Sequence, residues 1–155
     1  MHPIDKGGER ITMRIWHVDL IPVLPNKQLL AQWRELCCIA RNIAVNGTPN
    51  HILVNKVLEY DKSELYSYSI LVSTEVKSRG YKVDRSKFEK WCYSDRFTSR
   101  PFKEWHDDRY LRQCYHNLEE KFDCGAIDPR DWKYMFPIFS TLRITEEEYY
   151  GKNRR

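Results

Sequence analysis

No part of the chain holds the roughly 18 consecutive apolar residues that a membrane-spanning helix requires. Residues 1–12 (MHPIDKGGERIT) also lack the apolar core of a signal peptide. A cytoplasmic protein without a membrane partner is therefore expected. The five cysteines (Cys37, Cys38, Cys92, Cys114 and Cys124) include no C-x-x-C and no paired metal-ligand spacing. Neighbouring Cys37 and Cys38 point about 100° apart on a helix, which suits neither a mutual disulfide nor a closed zinc site. The cysteines read as reduced, small apolar residues, and no metal or cofactor is expected. Internal repeats and alternating strand pairs are absent as well, which leaves a mostly helical chain. What is present is ordinary for one domain: 155 residues, 41% hydrophobic and 31% charged. Aromatic residues reach 14%, with ten Tyr and five Trp, and the net charge is +4. A basic, ring-rich chain suits a partner that offers phosphates and flat bases, although composition alone does not assign one.

Residues 1–12 are polar and without periodicity, and read as an N-terminal extension, a tag or an upstream start. Residues 13–24 are apolar but interrupted by Pro22 and closed by Pro25, which predicts an extended segment crossing the core. Asn26 is a candidate N-cap for a helix from about Lys27 to Asn46, which Gly47 and Pro49 end. On that helix Leu29, Trp33, Leu36, Ala40 and Ile43 form the apolar stripe. A second helix is signalled by the D-x-x-E pair Asp61 and Glu64 and stops at Gly80. Asp84 caps a short helix through Trp91, 94–105 is a basic aromatic loop, and a last helix runs from about Asp107 to Phe122. Beyond it, 123–140 reads as irregular. The domain is placed at 13–145 and a basic tail at 146–155.

The polar side of the first helix carries Gln28, Gln32, Arg34, Glu35, Arg41 and Asn42, with Glu35 near its middle. A solvated face is the ordinary fate of such residues, but Gln, Asn and Arg are also the side chains that contact bases and phosphates. His17, set among apolar neighbours, reads as a core residue. His51 follows a loop, and leaves open a phosphate contact or a plain surface position. Arg96, Arg100 and Lys103 alternate with Phe97, Phe102 and Trp105, a pattern in which cations meet phosphates and rings stack on bases.

Several segments together resemble a known family. "MRIWHVDLIPVLPNKQLLAQWRELC" is similar to the N-terminal segment of the pyrimidine-dimer DNA glycosylases, small phage and bacterial repair enzymes also called pyrimidine-dimer endonucleases. It is closer still to bacterial relatives that begin M-R-L-W-H and continue L-I-P-x-L-P. "VNGTPNHILVNKVLEYDKSELYSY", "TEVKSRGYKVD", "NLEEKF" and "DPRDWKYM" extend the resemblance to about residue 135. It implies an all-α, compact single-domain fold with an extended N-terminal segment and an irregular aromatic C-terminal region. It also implies cleavage of the glycosyl bond of a pyrimidine dimer in double-stranded DNA, followed by a backbone nick through β-elimination.

On the matching positions, the resemblance makes Glu35 the catalytic carboxylate and Arg34 its neighbour, and gives Arg14 a DNA-holding role. Gln28 stands where the phage enzyme has His, Cys38 replaces an Arg, and Asn117 replaces another while Lys121 is retained. Arg41, a turn after Cys38, is placed to compensate. With His51 and Arg100, these residues form the expected DNA-binding set. The family's nucleophile is the α-amine at the chain start, which falls on Thr12 or Met13; the expectation is a chain that starts at Met13 or is trimmed to expose Thr12. An α-amine, with a reference pKa near 7.7–8.0 against ~10.4 for Lys, supplies free base at neutral pH without much tuning. The reading is a DNA repair glycosylase and AP lyase, acting as a monomer. The alternatives are a non-catalytic nucleic-acid-binding module, or a glycosylase or nuclease for another modified base.

Overall fold

Pro25 and Gly47 bracket the first helix, α1 (Asn26–Asn46). The Pro25 carbonyl accepts the Leu29 N–H at 3.0 Å, so α1 opens at Asn26, one residue before the expected start. Proline suits that place because a helix start leaves its own N–H groups without intrahelical partners. The structure, a computed structural model, describes residues 13–151. The 1–12 extension with Thr12, and Lys152, Arg154 and Arg155 of the tail, lie outside the described residues. Those described are all-α, without a strand. None of their helices is long and apolar enough to cross a membrane. The contacts of the described residues cluster in two compact units.

The first unit comprises residues 13–15 and 30–101. It contains most of α1, together with α2 (Lys62–Ser78) and α3 (Ser86–Glu89). The Asp61 carboxylate caps α2 by accepting the Ser63 N–H at 3.0 Å. At the other end Gly80 takes φ +91, and the N–H groups of Gly80 and Tyr81 bond back to Lys77 and Val76. That pair of bonds is a Schellman ending, and its left-handed residue favours glycine. Asp84 accepts the Ser86 N–H at 3.0 Å ahead of α3, which stops at Glu89 and not at Trp91. Leu36, Ile39, Val54, Val72 and Phe88 are buried here. The Arg85 guanidinium packs 5.3–5.5 Å from the Trp33, Tyr66 and Phe88 ring centroids and pairs with Glu89 at 2.9 Å.

The second unit comprises residues 16–29 and 102–151. Of the segment expected to be extended, Val18–Leu20 instead forms a 3-10 turn whose preceding His17 ring accepts the Asp19 N–H at 3.1 Å. His17 is buried, as its neighbours suggest, and stacks on His106 at 5.2 Å. Asp107 caps α4 (Asp108–Asp123) through the Tyr110 N–H at 2.9 Å. The expectation that α4 is the last helix is corrected by α5 (Pro129–Phe139) and α6 (Glu146–Tyr150). The Asp128 carboxylate accepts the Arg130 N–H at 2.7 Å, Pro129 occupies the first helical position, and Trp132, Met135 and Phe139 fall on one buried stripe. Pro137 removes only one bond near the end of α5. The tail expected from residue 146 begins with α6, where Tyr149 is fully buried against Trp132 at 4.2 Å. Phe122 covers Trp132 as well, at 4.7 Å.

Candidate functional site

Gln32 and Glu35 lie one turn apart on α1, hence on the same side of the helix. Between them runs the peptide of Arg14. The Gln32 amide donates to the Arg14 carbonyl at 2.7 Å, and the Arg14 N–H donates to Glu35 Oε1 at 3.3 Å. Tyr68 of α2 fixes the other end of Gln32, its hydroxyl donating to Gln32 Oε1 at 3.0 Å. Gln32 is therefore fully buried, which corrects its expected place on the polar arc. Glu35 is half-buried.

One residue earlier, the Met13 nitrogen donates to His51 Nε2 at 3.4 Å. His51 is 6% exposed and so does not stand on the surface. Its Nδ1 lies 3.4 Å from the Leu53 N–H. Both ring nitrogens therefore face an N–H donor, and a neutral imidazole accepts at only one of them, so the tautomer chooses between Met13 and Leu53. Met13, Arg14, Glu35 and His51 are thus brought together.

Arg34 follows a different direction. About 100° round α1 from Glu35, it lines an open cavity of about 340 Å³ with Leu30, Trp33, Cys37, Val76, Lys82, Asp84 and Lys87. Three cations face one carboxylate there. Hydrogen bonds from Ser86 hold the Asp84 carboxyl below its usual range, with Lys87 and Lys90 adding to the effect. Trp33, Leu30 and Val76 give the cavity an apolar floor, so it suits a phosphate with a flat or aliphatic group attached. Lys82 and Lys87 were not singled out from the sequence; their only signal is a pair of lysines after the R-G-Y of residues 79–81. Burial pushes the Cys37 thiol up, which fits a packing residue and not a nucleophile.

The remaining expected contacts are spread along the chain. Arg41 is exposed on α1, and beside it the Asn42 amide donates to the Pro49 carbonyl at 3.5 Å. Arg100 is exposed in its loop, while Arg96 pairs with Asp61 at 2.8 Å. Of the aromatics in 94–105, Phe97 is exposed but Phe102 is fully buried and Trp105 packs on it at 5.2 Å. Gln28, in the first turn of α1, and Lys121, in the last turn of α4, belong to the second unit and are half-buried. Among the described residues no cluster of His, Cys, Asp or Glu could hold a metal ion.

A family profile described as pyrimidine dimer DNA glycosylase matches residues 13–89. The matched segment contains Met13, Arg14, Glu35 and His51. Comparison with curated proteins and with solved structures gives no match.

Proposed function

The chain belongs to the pyrimidine dimer DNA glycosylase family, and from that premise we propose that it excises damaged pyrimidines, dimers foremost, from duplex DNA and then nicks the backbone as an AP lyase. The observation that carries the proposal is the 3.3 Å contact between Glu35 and the Arg14 N–H, which sets a carboxylate one peptide from the Met13 nitrogen. The family match also begins at Met13. In a chain that starts there, the nitrogen is an α-amine; in one trimmed before Thr12, the amine lies one residue earlier.

In this reading the unprotonated amine attacks C1′ of the damaged nucleotide, and the C1′–N bond breaks as the base leaves and takes up a proton. Glu35 stabilises the positive charge that develops at C1′. It then moves protons as the sugar ring opens to a protonated Schiff base, with O4′ gaining a hydrogen. Loss of the C2′ proton expels the 3′ phosphate, and water releases the enzyme from the unsaturated aldehyde. Arg14, Arg34, Arg41, Arg100, Gln28 and Lys121 serve as DNA contacts. His51 holds the Met13 nitrogen in place. No metal or cofactor enters the scheme, and a monomer suffices.

A second reading follows from the same contact. While residues ahead of Thr12 are retained, the nitrogens of Thr12 and Met13 are both amides, which form no Schiff base, and the chain then acts as a nucleic-acid-binding module. Borohydride trapping on abasic and dimer-containing duplexes, with chains starting at Met1 and at Met13, separates the two. A covalent adduct from the Met13 chain supports the lyase. Binding without an adduct from either chain supports the module, and an adduct from a chain whose intact mass retains Met1 excludes this nucleophile.

A further inference from the structure

Ile52 is 84% exposed, more than any other large apolar side chain among the described residues, and Leu53 beside it is 40% exposed. A lone aliphatic on a surface is ordinary, so exposure by itself assigns nothing. The backbone beneath Ile52 adds the second observation. The His51 carbonyl accepts the N–H groups of Val54 and Asn55, each at 3.0 Å, and Asn55 Oδ1 accepts the His51 N–H at 3.3 Å. Val54 is fully buried and anchors the turn. Ile52 is thereby held outward by a closed turn. The third observation is where that turn is tied: His51 touches the Met13 nitrogen, and Asn42 of α1 reaches the Pro49 carbonyl two residues before it. The residue before Ile52 thus contacts the same 13–14 segment that Glu35 contacts.

We propose that Ile52, flanked by Leu53, is a wedge that enters the base stack of duplex DNA beside the lesion. The proposal rests on the DNA-directed reading above. The base stack is the apolar interior of a duplex, and proteins that kink DNA push Ile, Leu or Phe side chains between base steps to open them. An opened step kinks the duplex, which lets the sugar of the damaged nucleotide approach Glu35. A rigid turn fits that task better than a mobile one, because a side chain free to fold back would not keep two bases apart.

The test uses duplexes with 2-aminopurine next to the lesion, whose fluorescence rises when its stacking is broken. The wild-type chain raises the signal on binding, and Ile52→Ala loses most of that rise. Incision at a dimer slows about tenfold in Ile52→Ala, whereas nicking at a preformed abasic site, where no base has to be displaced, stays within about twofold. Ile52→Leu recovers the wild-type behaviour. Ile52→Lys does not, despite its added attraction for phosphates. A wild-type fluorescence rise in Ile52→Ala overturns the wedge, as does equal slowing on dimer and abasic substrates. If the wild-type chain nicks neither substrate but its fluorescence rise still depends on Ile52, the wedge stands and the lyase reading falls.

Discussion

Replacing Gln32 by Leu removes the two bonds that tie Arg14 to α1 and α1 to α2. The Arg14 carbonyl loses its 2.7 Å donor and the Tyr68 hydroxyl its 3.0 Å acceptor, both at a residue with no solvent exposure. A buried polar group that loses its partner costs about 1–3 kcal/mol. Two such groups, offset in part by the extra apolar area of Leu, give a loss of about 2–4 kcal/mol. For a domain of this size that moves the urea midpoint down by about 1–2 M. The functional loss is larger in proportion, because displacing the Arg14 peptide by ~1 Å from Glu35 lowers the single-turnover nicking rate about 100-fold. Tyr68→Phe supplies the contrast. It breaks the bond on the far side of Gln32, so the midpoint falls by about half as much while nicking stays near the wild-type rate. Urea unfolding followed by tryptophan fluorescence, beside single-turnover nicking of a dimer-containing duplex, reads both. An unchanged midpoint with unchanged nicking in Gln32→Leu would refute the role given to this amide.

Glu35→Gln keeps the shape of the side chain and removes its charge; strand nicking falls about 10²- to 10⁴-fold while duplex affinity holds, as a gel-shift titration beside a nicking assay will show. Full nicking by the variant ends the assignment. For the cavity beside Arg34, the double variant Lys82→Ala and Lys87→Ala lowers the slope of log affinity against log salt by about one per lysine if both meet phosphates. An unchanged slope removes the cavity from the DNA path. Asp61 gives a pH signature. Hydrogen bonds from Ser63, then Arg96, hold its carboxyl below the usual range, so its contribution to stability is present above the unfolded value near 3.9 and is lost as the pH falls through the depressed folded value. The melting-temperature gap between wild type and Asp61→Ala is therefore widest at neutral pH and narrows in acid below about pH 4. A gap that stays constant across that range contradicts the cap.

The first unit was largely legible because its signals are local. Asp61 and Gly80 mark the ends of α2 through bonds made within a few residues, and the apolar stripe of α1 follows from helical spacing. Gln32 was misplaced for the opposite reason. Its angle on the helix is polar, and it is covered by residues 13–15 and by Tyr68 of α2, both distant in sequence. Arg34 and Glu35 are neighbours in the chain, yet the turn of the helix sends one to the cavity and the other to Arg14, a division that a polar arc drawn on a wheel does not resolve. In the second unit, Pro129 and Pro137 made 123–140 read as irregular. The first of these prolines is a helix start, and the second falls where few bonds remain to be lost. The burial of Tyr149 depends on Trp132, which no local pattern around residue 149 announces.

The ring stack around Trp132 has an optical consequence. Its indole lies 4.7 Å from Phe122 and 4.2 Å from Tyr149, with planes 4° and 9° from parallel. Aromatic chromophores held so close and in fixed orientation couple their ultraviolet transitions, which gives the near-ultraviolet circular dichroism a contribution that random orientation would average away. One of the three rings is supplied by α6, so that band reports whether this short helix is seated, without any added label.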